Sequence, residues 1–205
     1  MTAITTYGTL KTAIAAKMNR TDLTAEMPGF VTNAEAGLNS DVRHPRGEYL
    51  YVDWPIAAEL TSLPTDYLEM ISVSGEYGGG GYHFDFDGPV GALTRRGSLA
   101  GMPIKGVSVI GTQLRASPPP NGTVSVDLHY YKKLDTITGS DAGTNWLLVL
   151  APDIYLYRSL MEAAVHMRDA GRLAEYGAAY QGALTRVNRA GKKYASAVGM
   201  QVRPG

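Results

Sequence analysis

The chain has 205 residues, in which nineteen basic residues balance nineteen acidic ones and cysteine is absent. That balance leaves no global charge to draw nucleic acid or an acidic partner, and the missing thiols exclude disulfides and thiolate metal sites, so a reducing compartment suits it. No apolar run nears the roughly 20 residues that span a bilayer, and the start lacks a signal-peptide pattern, so the expectation is a soluble chain made in the cytoplasm with no membrane contact.

Tyrosine outnumbers phenylalanine thirteen to three. A side chain with an apolar body and a polar tip suits surfaces buried only in part, which favours an interaction protein over a compact enzyme. In chain order, Tyr7, Leu10, Ile14 and Lys17 or Met18 recur at helical spacing and predict a first helix capped by Thr6. Asn19 to Thr24 is a polar turn. Pro28 opens a second helix whose stripe is Phe30, Val31, Ala34, Leu38 and Val42. Both stripes are one-sided, so the pair reads as a hairpin leaning on other elements. His44-Pro45-Arg46-Gly47 ends it, because the residue before a proline avoids the helical region.

No helical period is sustained from Glu48 to Tyr131. Tyr49, Tyr51 and Trp54-Pro55 predict one strand, and Ile56 to Leu60 another. Leu63-Pro64-Thr65-Asp66-Tyr67 turns into a strand through Leu68, Met70, Ile71 and Val73. Glu76 to Gly91 holds four consecutive glycines and the alternation from Tyr82 to Gly88, which reads as a flexible loop followed by a hairpin strand. Pro89 to Arg96 is a candidate short helix. Ile104 to Ile110 and Gln113 to Ala116 read as strands joined at Gly111-Thr112. Pro118 to Gly122 then turns into a strand where Val124, Val126, Leu128 and Tyr130 alternate with Ser125, Asp127 and His129. Short strands at this spacing read as a small sandwich or barrel.

Asp135 to Gly143 is a polar loop, and Trp146 to Leu150 is the densest apolar cluster of the chain, expected to plug the core. Pro152 and Asp153 open a buried helix. After a break at Asp169-Ala170-Gly171, Leu173, Tyr176, Tyr180, Leu184, Val187 and Tyr194 mark a long amphipathic helix at near-heptad intervals. Its other face carries Arg186, Arg189, Lys192 and Lys193, and no acidic residue follows Gln181. Val198 to Gly205 reads as an extended tail. The fold class is α+β. Residues 1–44 and 145–205 build a helical bundle, and 45–144 form an inserted β-rich module.

Little chemistry emerges. His83, Asp85 and Asp87 would share one face of a strand and offer imidazole and carboxylates to a divalent cation. With no further ligand cluster, a polar outer face is the favoured reading, and neither metal nor cofactor is expected. Gly78 to Gly81 lacks the Gly-Lys-Ser/Thr of a phosphate loop. No local signature joins a nucleophile to its base, so the expectation is a non-enzyme. The basic C-terminal face has two readings. One is a solvated face complementing the helix terminus; the other is a docking surface for an acidic partner or packaged DNA. Tyr176, Tyr180 and Tyr194 read as core before interface. Tyr155 and Tyr157 point apart on their helix, so one of them is placed to meet another subunit.

The series YYKKL ending at Leu134, TNWLL at 144–148 and PDIYLYRSLMEAA at 152–164 resembles the adaptor (head-to-tail connector) proteins of tailed bacteriophages, including head-completion proteins of short-tailed phages. The Arg20-Thr21-Asp22-Leu23 turn and the Leu63-Pro64-Thr65-Asp66-Tyr67 step resemble the same family. The resemblance covers most of the chain, is densest from Leu128 to Ala164 and is weakest between Gly75 and Gly101. It implies a structural protein of the virion neck. Such adaptors form a closed ring of about twelve copies beneath the portal, extend the DNA channel and provide the platform for tail attachment.

The implied partners are the portal protein, neighbouring copies, and a tail nozzle, tail tube or fibre protein, with non-specific proximity to packaged DNA and assembly in the host cytoplasm. The portal-facing residues would be Arg186, Arg189, Lys192, Lys193, Tyr194, Val198, Met200, Val202 and Arg203. Trp146, Tyr155, Tyr157, Tyr176 and Tyr180 are assigned to subunit contacts or core, and Tyr82, His83 and Asp85 to tail-partner contact. The alternatives are a carbohydrate-binding or fibre-associated module stacking sugars on the Tyr- and Trp-rich β part, a small envelope hydrolase, or another neck or tail-completion ring.

Overall fold

The computed structural model describes residues 3–20, 22–77, 80–86 and 104–198. The fold is α+β, in two compact units: Met1–Gly47 with Leu134–Gly205, which is helical, and Glu48–Lys133, which is β.

In the helical unit, α1 (Tyr7–Met18) begins at a reciprocal cap. The Thr6 side chain accepts from the Thr9 N–H, and the Thr9 hydroxyl accepts from the Thr6 N–H at 3.0 Å. Asn19, with φ 51°, ends the helix in the left-handed region that asparagine tolerates. Tyr7, Leu10, Ile14 and Met18 are buried as their spacing predicts. The helix α2 (Met27–Asp41) has its proline in the first turn and buries Phe30, Val31, Ala34 and Leu38, and with them Glu35. A 3-10 turn, Pro45–Gly47, follows.

The chain returns to this unit at Leu134, earlier than the Asn145 expected from sequence. Ile137 is fully buried in the helical core, and its N–H donates to Glu35 Oε1 at 3.0 Å. The single-turn helix α3 (Trp146–Leu150) is capped by Asn145, whose Oδ1 accepts from the Leu148 N–H. Only Leu147 and Leu148 of the dense apolar run are buried. Val149 and Leu150 face outward, because one helical turn has one inner face.

In α4 (Pro152–His166), Ile154, Tyr155, Leu160, Ala163 and Ala164 face the core. Arg168, with φ 56°, turns the chain, and Asp169 Oδ1 caps α5 (Ala170–Val198) by accepting from the Arg172 N–H at 3.0 Å. Tyr176, Tyr180, Ala183 and Val187 complete one continuous core. Helix α5 runs through Val198, which the sequence reading put in an extended tail. The residues beyond lie outside the described ones.

Among the described residues the β unit holds two four-stranded sheets, neither closed into a barrel. The first has the order β1-β8-β3-β4 and is antiparallel throughout: β1 (Glu48–Ile56), β8 (Val124–Lys132), β3 (Tyr67–Tyr77) and β4 (Gly80–His83). The second has the order β2-β7-β6-β5: β2 (Leu60–Ser62), β7 (Gln113–Ser117), β6 (Gly106–Ile110) and β5 (Asp85–Phe86). Only the β5–β6 pairing is parallel. Trp54, Ile56, Val73, Val126, Leu128 and Tyr130 from the first sheet pack with Val107, Leu114 and Ala116 from the second.

Three strand expectations change. Ile56 to Leu60 is no strand of its own: Ile56 ends β1 and Leu60 begins β2. The strand β1 carries a bulge between Tyr51 and Trp54, where Asp53 adopts φ 55°. The extra residue keeps Trp54 and Ile56 on the inward face, which strict alternation from Tyr49 and Tyr51 would have denied them. The run from Tyr82 to Asp87 is not one strand either. His83 closes β4 in the first sheet and Asp85 opens β5 in the second, so the two do not belong to one strand, and Asp87 lies outside the described residues. The candidate helix Pro89 to Arg96 lies outside the described residues.

Candidate assembly surfaces

The segment from Leu134 to Asn145, most of which reads from sequence as a polar loop, is fastened at several points. Its first N–H, on Leu134, donates to Asn39 Oδ1 at 2.8 Å, and the Thr136 hydroxyl donates to Glu35 Oε2 at 2.9 Å. Asn145 Nδ2 donates to the Asp135 carbonyl at 2.8 Å and to the Tyr155 hydroxyl at 2.6 Å. The loop then gives two carbonyls to the start of α1: Gly143 O accepts from Tyr7 N–H at 2.8 Å and Asp141 O from Gly8 N–H at 2.9 Å. Those amides lack intrahelical partners, so the loop completes the helix end. Burial raises the Glu35 pKa above the usual carboxylate range, against the opposing hydrogen bonds from Ile137, Thr136 and Tyr155. These bonds make the segment a packing device that ties α2, α4 and the start of α1 together.

The tyrosines sort by depth. Tyr155, Tyr176 and Tyr180 are buried, and burial also raises the phenol pKa of Tyr155 and Tyr180, so both stay neutral. The Tyr180 hydroxyl donates to Asp41 Oδ2 at 2.7 Å. Tyr157 is half-buried against the same core, so the two α4 tyrosines both serve the helical unit. Trp146 is half-buried, with its ring 5.6 Å from that of His44 and its edge where a Cβ on Gly47 would come within 3.1 Å. Tyr194 departs from the stripe it was grouped with: it is 59% exposed, because the core ends at Val187 and α5 continues past it.

The basic end of α5 is therefore surface. Gly191 lies against His44 and Pro45, where a Cβ would come within 3.0 Å of the imidazole. Beyond it Lys192, Lys193 and Tyr194 are exposed, as is Arg189 before it. Arg186 is engaged differently, in an ion pair with Asp153 at the start of α4. Val198 is helical, while Met200, Val202 and Arg203 lie outside the described residues. Tyr82 and His83 belong to β4 and Asp85 to β5, and their side chains are likewise outside what is described.

On the β unit, Trp54 is buried, and the Tyr49 and Tyr51 rings stand 86° apart. Sequence reasoning missed the feature that stands out instead: Tyr49, Leu50, Tyr51 and Val52 are all exposed on the edge strand β1. Their unbroken apolar character was the available signal, since a half-buried strand alternates. Among the described residues no group of three or more His, Asp or Glu stands together to hold a metal, and no helix is long and apolar enough to cross a membrane.

A model of the SU10 adaptor protein family matches residues 5–203. No curated protein matches the chain.

Proposed function

We propose for this chain, which belongs to the SU10 adaptor protein family, an assembly role in the neck of a bacteriophage: copies form a ring that docks under the portal, prolongs the DNA channel and gives the tail its platform. The match over almost the whole chain supports an adaptor, a structural component of the virion. The observation that carries the portal assignment is the far end of α5. There Arg189, Lys192 and Tyr194 stand exposed beyond the last core residue, Val187, in a stretch without acidic residues from Gln181 onward. A helix of 29 residues is about 43 Å long, and past Val187 only Gly191, against His44 and Pro45, is buried among the residues whose burial is described. Residues that fold does not need are available to a partner, and arginine and tyrosine suit such contacts.

In this reading Arg189, Lys192, Lys193 and Tyr194, followed by Val198, Met200, Val202 and Arg203, meet the portal. The buried Tyr155, Tyr176 and Tyr180 hold the unit rigid. The tail partner meets another face, for which Tyr82, His83 and Asp85 stand as candidates. The cationic end also faces the DNA passage with a sequence-independent attraction.

The test is to mix the purified chain with its portal rings and weigh the product by native mass spectrometry. The expected product is a portal carrying a full ring of this chain. The variant R189E/K192E, and separately deletion of residues 199–205, should weaken attachment by about ten-fold or more while the thermal transition stays in place. Full attachment by both variants would overturn the portal-facing assignment. Failure of the folded wild-type chain to associate would overturn the portal reading itself.

A further inference from the structure

Among the described residues the strand β1 is an edge of its sheet, and the side chains of its first half are exposed. Tyr49, Leu50, Tyr51 and Val52 are 47%, 52%, 41% and 57% exposed, so four successive apolar side chains project from both faces of one free edge. Soluble chains usually blunt such an edge with lysine, proline or a bulge. Here the bulge at Asp53 and then Pro55 only end the pairing-competent stretch, leaving Glu48 to Val52 unguarded. The one charge in that stretch, Glu48, is turned onto β8, where its carboxylate meets His129 Nε2 at 3.2 Å and the Tyr131 hydroxyl at 3.3 Å. The chain crosses from Ile56 at the far end of β1 to β2, an edge of the other sheet, within a few residues, and Leu60 on β2 is also exposed.

We propose that this side of the β unit is the side-to-side contact between neighbouring copies of the chain, an inference that rests on the adaptor reading above. Two observations point to a second copy as the occupant. Side chains of this size at these exposures present several hundred Å² together. That is in the range of the largest patch on a monomer, about 300–600 Å², and a large part of the about 800 Å² each partner brings to a stable interface.

The same sheet also offers the matching edge. β1 runs antiparallel to β8, β8 to β3, and β3 to β4, so β1 and β4, the outer strands among the described residues, run in opposite directions. The β4 edge of one copy and the β1 edge of the next then meet as antiparallel strands under a rotation that keeps strand direction. That is the heterologous relation from which rings close. This pairing moves β4, and with it Tyr82 and His83, from the tail contact to the contact between copies. Strand addition supplies backbone hydrogen bonds, and burial of Tyr49, Leu50, Tyr51 and Val52 supplies the apolar gain.

The chain has no cysteine, so the variant L50C accepts a single thiol-directed benzophenone label. The labelled full-length chain is irradiated alone at high concentration and again with portal rings, and adducts are read by intact mass spectrometry. The expected result is chain–chain adducts at about ten-fold or more the yield given by the same label on T12C, an exposed site of α1. Yields no higher than from T12C, or adducts to the portal alone, would overturn the proposal. A second variant, L50K/V52K, should keep its thermal transition yet fill rings about ten-fold less well, and complete rings from it would also overturn the contact. Chain–chain adducts from a chain that ignores portals would sink the portal reading and leave this contact standing.

Discussion

The helical unit and the β unit leave their apolar residues exposed in different patterns. In the helical unit the apolar stripes of α1, α2, α4 and α5 converge on one core, and even its buried carboxylate, Glu35, is matched by an N–H and a hydroxyl. In the β unit the core is smaller and stops short of the first half of β1, where four apolar side chains in a row remain exposed. The helical unit also exposes Val149, Leu150, Val165 and Tyr194, but only singly or in a pair, whereas β1 exposes four apolar side chains in a row, the kind of patch that marks contact sites. Substitutions of equal size should therefore differ sharply between them. Tyr155→Ala opens a cavity in the helical core and removes the partner of Asn145 Nδ2, and should cost about 3–5 kcal/mol in urea unfolding. Tyr49→Ala, the same change on the bare edge, should cost under about 1 kcal/mol. Equal losses would erase the distinction.

The next effect tests whether the Leu134–Asn145 segment is as fixed as its hydrogen bonds indicate. A Cβ on Gly143 would lie 2.1 Å from the backbone carbonyl oxygen of Ile137, with no flexible side chain to yield. Gly143→Ala must shift the loop, and the loop holds the Tyr7 N–H through Gly143 O. A loss of about 2–3 kcal/mol in thermal or urea unfolding is expected. A loss below about 0.5 kcal/mol would mean the loop relaxes freely, and the fastening of α1 to it would carry little weight.

These two positions also show what the sequence discloses. The helix starts were legible because Thr6, Pro28 and Pro152 act locally, and the buried stripes follow a local period. The strand β8 was legible for the same reason, since Val126, Leu128 and Tyr130 alternate inward. The burial of Glu35 was not, because its partners Thr136 and Ile137 lie about a hundred residues away and no helical period announces them. The sheet change between His83 and Asp85 was hidden for a similar reason: an alternating run looks the same whether or not it switches partners. The bare half of β1 was visible as composition, but its exposure depends on where the second sheet ends.

A smaller effect sharpens the comparison from the polar side. Burial raises the Glu35 pKa in the folded unit above its usual 4.5, so folding favours the protonated form. The contribution of this group is then full below about pH 4.5 and is lost as pH rises through the raised folded value. Glu35→Gln keeps an acceptor for the Ile137 N–H and removes the titration. It should match the wild type at low pH and equal or exceed its stability at pH 7, as read by thermal unfolding across that range. Glu35→Ala removes the acceptor instead and should cost about 1–3 kcal/mol at every pH. If Gln and Ala behaved alike, the carboxylate would not be holding the segment through these bonds.

The smallest expected stability change is at Leu50, where assembly and folding part company. Leu50 and Leu128 lie in paired strands only one step apart in register, since Leu50 pairs with His129 and Tyr51 with Leu128. Leu128 is fully buried and Leu50 is about half exposed. Leu128→Lys places an ammonium in the β core without a partner and should unfold the unit outright. Leu50→Lys leaves its charge in water on a free edge and should change stability by no more than about 0.5 kcal/mol, while adding the kind of edge lysine that blocks strand pairing. A fold that ignores this change and a ring that does not would mean that the bare half of β1 is kept apolar for contact. A stability loss like that of a core leucine would instead mean that β1 needs Leu50 to fold, and the exposed edge would reduce to a packing residue.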